Sequence, residues 1–185
     1  MHLLIVCTAN RCRSPLAEVI ARRHLDELGI IGDVHSAGTA AVDGAPATDG
    51  AVATARGLGL DLSSHRSRIV TPELVAAADL VLTMEPQQSV RIVTDLGGDL
   101  TSTFTLPEFA RMSSAAPRRV DGESLLGWIR GIAEGRSPND ALAAESIADP
   151  IGGPMRQYRN TARAIETALA VALDRSVPPF GRLRP

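Results

Sequence analysis

Leu3-Leu4-Ile5-Val6, four apolar residues with no polar alternation, constrain this chain more than any other feature. A run so short and unbroken suits a strand buried on both faces, the kind found in parallel sheets covered by helices. The next residues fit a strand–loop–helix unit. A polar loop from Cys7 to Arg13 leads into Ser14-Pro15, an N-cap serine with proline at the first helical position. Leu16, Val19, Ile20, Leu25 and Leu28 then recur at helical spacing until Gly29. The pattern repeats with strands expected at Asp33–Ser36, Asp79–Thr83 and Thr101–Leu106, and helices at 46–57 and Pro86–Leu96. After Pro107 the expectation is a loop over Ser113–Arg119, a short helix over Ser124–Ala133 and another loop over Gly135–Asn139. A last helix over Pro154–Leu173 carries Tyr158, Ala162, Ile165, Leu169 and Leu173 on one face, and the proline-rich end is a frayed tail. Strands alternating with helices predict one α/β domain built on a parallel sheet.

Composition narrows the function classes. The 185 residues carry a net charge of −2, which argues against a general nucleic-acid binder. No stretch reaches the roughly 20 apolar residues of a membrane helix. Met1-His2-Leu3-Leu4 lacks the basic start of a signal peptide, so a cytoplasmic location with no membrane partner is expected. All 19 Lys+Arg positions are arginine, which removes any Schiff-base lysine chemistry. Cys7 and Cys12 share one short segment, unlike the spread cysteines of a disulfide scaffold or the paired ligands of a structural zinc site. Thiol reactivity is the remaining reading.

The segment Cys7-Thr8-Ala9-Asn10-Arg11-Cys12-Arg13-Ser14 lies beyond the carboxyl end of the first strand, where ligands of open α/β sheets bind. A short loop between a buried strand and a helix N-terminus can turn its backbone N–H groups inward as an anion nest. Thr8 and Ala9 are small enough for a tight curl, and Asn10 tolerates a left-handed conformation. Arg13 closes the cradle with a planar fork that matches two phosphate oxygens. The same positive field favours the thiolate of Cys7. Nucleophile and phosphate cradle are thus supplied together, and no metal or other cofactor is implied.

The run LLIVCTANRCRSPLAE resembles the N-terminus of the low-molecular-weight protein-tyrosine-phosphatase family, whose signature is C-x-x-N-x-C-R-S-P. Further matches come in the family's order: His35-Ser36-Ala37-Gly38-Thr39, Gly59-Leu60-Asp61 with His65-Arg66-Ser67-Arg68, Ala78–Met84, Thr105–Phe109, and Asp149-Pro150. Ser67 stands where the family usually has alanine. The resemblance implies a four-stranded parallel sheet of flavodoxin-like order with helices on both faces, over a domain spanning 1–175. It leaves 112–146 as an expanded insertion and 176–185 as a tail. It further implies a hydrolase that attacks phosphate monoesters on a phosphorylated protein or small molecule through a phosphocysteine. Cys7 would be the nucleophile and Asp149 the acid and then the base. Thr8, Ala9, Asn10, Arg11, Cys12 and Arg13 would bind phosphate, with Ser14, Ser36 and His65 supporting the loop. Cys12 would be able to form a reversible disulfide with Cys7.

Three departures bear on substrate. Loop position 11 is arginine, where tyrosine-directed members carry an aliphatic residue and arginine-phosphate-directed ones a threonine. The places of the family's aromatic walls hold Ala40-Ala41-Val42-Asp43 and Ile151-Gly152-Gly153. Tyr158, the only tyrosine, falls within the last helix. A protein-arginine phosphatase or small-metabolite phosphatase is therefore an alternative to phosphotyrosine specificity. A reductase that passes arsenate to an external thiol is a further one; an internal cysteine relay is excluded, because no cysteine comes after Cys12.

Overall fold

The computed structural model describes residues 1–178. Four parallel strands, β1 (His2–Cys7), β2 (Asp33–Gly38), β3 (Leu80–Thr83) and β4 (Thr103–Thr105), lie in the order β2-β1-β3-β4. The central strand explains its own sequence. Leu3, Ile5 and Cys7 point into one apolar cluster, with Leu16 and Ile20 of helix α1 (Arg13–Glu27) and Ile165 and Leu169 of helix α8 (Met155–Ser176). Leu4 and Val6 point into the opposite cluster, with Val75 of α3 (Pro72–Ala76) and Ile92 of α4 (Pro86–Asp95). With both faces covered, no position in the run can be polar. Each buried Leu or Ile side chain contributes on the order of 1.5–3 kcal/mol of transfer energy.

Sequence and structure part company at several boundaries. Helix α1 begins at Arg13 with Cys12 in the N-cap position, so Ser14 is not the cap. Its hydroxyl turns toward Cys7 instead. Helix α2 starts only at Asp49 (Asp49–Gly57), capped by Thr48, because Pro46 is held in a bridge with Arg66. Strand β4 stops at Thr105, and helix α5 (Leu106–Ala115) occupies part of the stretch expected as strand and loop. The cause is a capping box: Thr105 accepts from the Glu108 N–H while the Glu108 carboxylate accepts from the Thr105 N–H. A second such box, Ser137 with Asp140, starts the short helix α7 (Pro138–Leu142) before the expected loop Gly135–Asn139 has ended.

The 112–146 segment is packed, not appended. Helix α6 (Leu125–Ile132) buries Trp128, Ile129 and Ile132, and Trp128 meets Phe109 edge-on with ring centroids 6.1 Å apart. Arg136 then inserts beneath α5, where Glu108 grips it from both oxygens at 2.7 and 2.8 Å. The expected tail begins too early: Ser176 ends α8 and Val177 is buried, with Arg119 donating to the Ser176 carbonyl at 2.6 Å. Residues 179–185 lie outside the described residues.

Candidate active site

Strand β1 delivers Cys7 to the carboxyl edge of the sheet in register with Gly38 of β2. That glycine lets the loop fold back. A Cβ on Gly38 would stand 2.6 Å from the Thr8 carbonyl oxygen and 2.9 Å from the Asn10 nitrogen. The next two amides fasten the approach, Thr39 N–H to the Cys7 carbonyl at 2.9 Å and Ala40 N–H to that of Thr8 at 2.8 Å.

Asn10 is the hub. It is the one non-glycine residue with positive φ among the described residues (φ 52°), and it is fully buried. Its left-handed conformation aims the backbone N–H at Cys7 Sγ, 3.3 Å away. Its side-chain amide donates to Ser14 Oγ and Ser36 Oγ, both at 2.9 Å, and accepts from the Arg68 N–H at 3.0 Å. The Asn10 carbonyl meets His65 Nε2 at 2.8 Å, which makes that ring nitrogen the donor. Ser14, Ser36 and His65, the three expected supporting residues, therefore all act on one asparagine.

Ser14 Oγ also lies 3.0 Å from Cys7 Sγ. Asn10 donates into this oxygen, and the serine proton has two acceptors within reach, Cys7 Sγ and the Ala37 carbonyl at 3.3 Å, of which the sulfur is the nearer. Cys7 thus faces two donors, one backbone and one hydroxyl, an arrangement that stabilises a sulfur anion. The remaining loop residues are tied outward. Thr8 Oγ1 accepts from Gln88 at 3.1 Å, and Arg11 Nε donates to the Pro46 carbonyl at 2.8 Å.

Arg13, in the first turn of α1, is nearly inaccessible and gathers three groups from two other chain segments. It pairs with Glu85 after β3, donates to the Ile147 carbonyl at 3.2 Å, and reaches Asp149 Oδ2 at 2.6 Å. The segment bearing Asp149 is held by Ile147 N–H on the Met84 carbonyl and by Thr161 on the Ala148 carbonyl. Asp149 Oδ1 accepts from the Ile151 N–H at 3.1 Å, so its carboxylate is aimed by its own turn. Glu85 is the site residue that sequence reasoning missed. Its only signal is position: an acidic residue two places beyond a buried strand that pairs with β1.

Cys12 is buried behind the loop as a free thiol. Burial, reinforced by the negative charges of Asp149 and Cys7, pushes it up from 9.0 to about 12. It stays protonated at neutral pH. Tyr158 is also buried; its ring lies over Gly50 of α2, where a Cβ would come within 2.5 Å of it. Val42 and Ile151, at the expected wall positions, are exposed at 74% and 51%.

Known proteins place this architecture. The sequence model of the low molecular weight phosphotyrosine protein phosphatases matches residues 2–121. A probable low molecular weight protein-tyrosine-phosphatase, EpsP, of Ralstonia nicotianae is 37% identical over 63% of this chain and 78% of its own length. The protein-arginine-phosphatase of Bacillus subtilis is 37% identical over 59% of this chain and 72% of its own. The solved low molecular weight protein tyrosine phosphatase of T. tengcongensis superposes with a TM-score of 0.73 at 28% identity, covering 94% of this chain and 98% of that one. An arginine phosphatase, YwlE, solved with a phosphorylated active-site serine in place of cysteine, gives the same score and identity over 94% of both chains. With its sheet order, its Cys-x5-Arg loop and these relatives in agreement, the chain belongs to the low molecular weight phosphotyrosine protein phosphatase family.

Proposed function

We propose that this protein hydrolyses phosphate monoesters on phosphorylated proteins through a covalent phosphocysteine at Cys7. One observation carries the reading: Cys7 Sγ sits at the focus of the Asn10 N–H and the Ser14 hydroxyl, in a loop closed by Arg13.

In the first step Cys7 thiolate attacks phosphorus while the ester P–O bond breaks. Asp149 gives its proton to the departing oxygen, and Arg13 with the loop amides holds the phosphoryl oxygens. In the second step the Asp149 carboxylate takes a proton from water, the water oxygen bonds to phosphorus, and the sulfur leaves as thiolate. Phosphate is released, and Ser14 and Asn10 stabilise the leaving sulfur. Without substrate, Asp149 and Glu85 occupy Arg13. A bound phosphoryl group takes their place on the guanidinium, which frees Asp149 to carry the proton.

Specificity is set at the rim. Val42 and Ile151 offer aliphatic surface, and the one tyrosine is spent on packing against Gly50. A phosphotyrosine ring would forgo the roughly 0.5–1.5 kcal/mol an aromatic partner adds. We therefore expect phosphotyrosine to be no better than non-aromatic phosphoryl substrates, small phosphorylated molecules among them and also phosphoarginine, whose P–N bond would break in place of the ester bond with Asp149 giving its proton to the departing nitrogen. A substrate panel tests both levels: phosphotyrosine peptide, phosphoarginine peptide and small aliphatic phosphate esters, each with wild type and Cys7→Ser. Turnover that survives Cys7→Ser would refute the mechanism. A clear kcat/KM preference for phosphotyrosine would refute the specificity.

A further inference from the structure

A cavity of about 320 Å³ lies between α1, the edge strand β2 and the 61–68 segment, and neither Arg13 nor Asp149 is among its lining residues. Its polar lining includes Arg22, Arg66, Arg68 and His65. Arg22 is neutralised by Glu18 and donates to the Val34 carbonyl at 2.8 Å. Arg66 and Arg68 are not. Arg66 donates only to carbonyls of its own turn, His65 at 2.8 Å and Ser63 at 3.4 Å, and Arg68 Nε only to the Ser36 carbonyl at 2.9 Å. Among the described residues neither meets a carboxylate. Asp61 at the rim is engaged by the Ser63 N–H at 2.8 Å. Two guanidinium groups with unused donors thus face a cavity large enough for a small ligand.

The same wall clamps the catalytic loop. Arg68 gives its backbone N–H to Asn10 Oδ1, His65 its ring N–H to the Asn10 carbonyl, and Ser36 accepts from the Asn10 amide. Whatever orders Arg68 and His65 also orders Asn10, and with it the N–H aimed at Cys7. Coupling of this kind is reciprocal: an anion in the cavity and an oxyanion in the loop bias each other's binding.

We propose that this cavity is a second oxyanion site, taking a phosphate group either as inorganic phosphate or on a small ester, and that its occupancy is coupled to the catalytic loop through Asn10. The site goes beyond the proposed hydrolysis and does not require it. Calorimetry on Arg13→Ala, in which the catalytic cradle is disabled, should retain saturable binding of inorganic phosphate or glycerol phosphate. Adding Arg66→Gln should weaken that binding about tenfold, the scale of one charge-assisted hydrogen bond. Tighter binding of glycerol phosphate would assign the ester, and equal or weaker binding the free ion. In the wild type, inhibition of ester hydrolysis by phosphate should be mixed, and it should become purely competitive in Arg66→Gln. No saturable binding in folded Arg13→Ala, or affinity untouched by Arg66→Gln, would overturn the site. So would purely competitive inhibition in the wild type. Should the protein hydrolyse no ester, the calorimetric comparison still decides.

Discussion

Two arginine side chains among the described residues, those of Arg13 and Arg136, are almost completely buried, and they are buried for opposite ends. Arg136 pairs with a single carboxylate: both oxygens of Glu108 take its fork, the Leu100 and Thr103 carbonyls take its other nitrogen, and the Phe104 ring lies 4.3 Å beneath it. Arg and Glu are each about 1% exposed. Arg13 is divided between Glu85 and Asp149, from separate segments, whose side chains are 32% and 38% exposed. A bidentate pair sealed from water has nothing to exchange with. A guanidinium shared by two half-exposed carboxylates can trade both for a ligand that carries two or three oxygens at once. The first holds the 112–146 segment to the sheet; the second leaves a guanidinium whose partners can be exchanged, as the proposed phosphate cradle requires.

The widest effect should come from Asp149. Asp149→Asn should slow hydrolysis by about 10²–10⁴-fold for esters with poor leaving groups, the usual worth of a positioned acid. The loss should be far smaller for esters whose leaving group departs readily as the anion, with vanadate binding nearly intact. Rates across aryl phosphates of graded leaving-group acidity measure this. A uniform loss with vanadate binding abolished would make Asp149 a mere anchor of Arg13, as Glu108 is of Arg136.

Swapping the arginines sharpens the contrast. Arg13→Ala should lower kcat/KM for every ester by about 10²–10³, as loss of an oxyanion donor does, while the thermal midpoint moves little. Arg136→Ala should do the reverse, costing about 3–5 kcal/mol because Glu108 is left buried and unpaired. Arg136→Met with Glu108→Leu should recover much of that stability, since both charges then vanish together. Denaturant unfolding beside steady-state kinetics reads all four proteins. If Arg136→Ala unfolds no more easily than wild type, the sealed pair contributes nothing.

The smallest effect concerns the second thiol. Cys12→Ala should leave ester turnover nearly unchanged, because the native Cys12 is a neutral buried group at working pH. After peroxide converts Cys7 to its sulfenic acid, attack by Cys12 needs the thiolate, with water as the other product. Disulfide formation should therefore accelerate as pH rises from 9 toward about 12. Mass spectrometry of alkylated samples would show it, and a pH-independent rate would mean that Cys12 is far less buried in the oxidised protein.

How much of the molecule was legible in the sequence depends on the range of the interaction. Buried strands were readable to within a residue or two, because covering both faces of β1 and β3 leaves an unbroken apolar run. Asn10 announced its left-handed turn, since few other residues accept it. Ser14-Pro15 misled: a serine before proline ordinarily caps a helix, but here a thiol and an amide compete for the hydroxyl and the helix starts earlier. The boxes at Thr105–Glu108 and Ser137–Asp140 were visible yet passed over, the first under a strand-like TFTL run, the second under breaker residues. Glu85 and the Arg136–Glu108 pair could not be read at all. Each joins positions far apart in the chain, and no local pattern marks a carboxylate whose partner comes from another segment.

Asn10 carries a last consequence, one of chemistry over time. Its side chain spends both amide hydrogens on Ser14 and Ser36 and its oxygen on Arg68. Hydrolysis of that amide to a carboxylate changes one heavy atom, leaves the volume untouched, and turns two donors into a second acceptor beside a sulfur that needs to be negative. Ser14 would then turn its proton to the new carboxylate and away from Cys7. Deamidation at this one fully buried position would retire the molecule with a mass change of about one dalton, and would weaken the loop as well, since the new carboxylate would be buried without a cation.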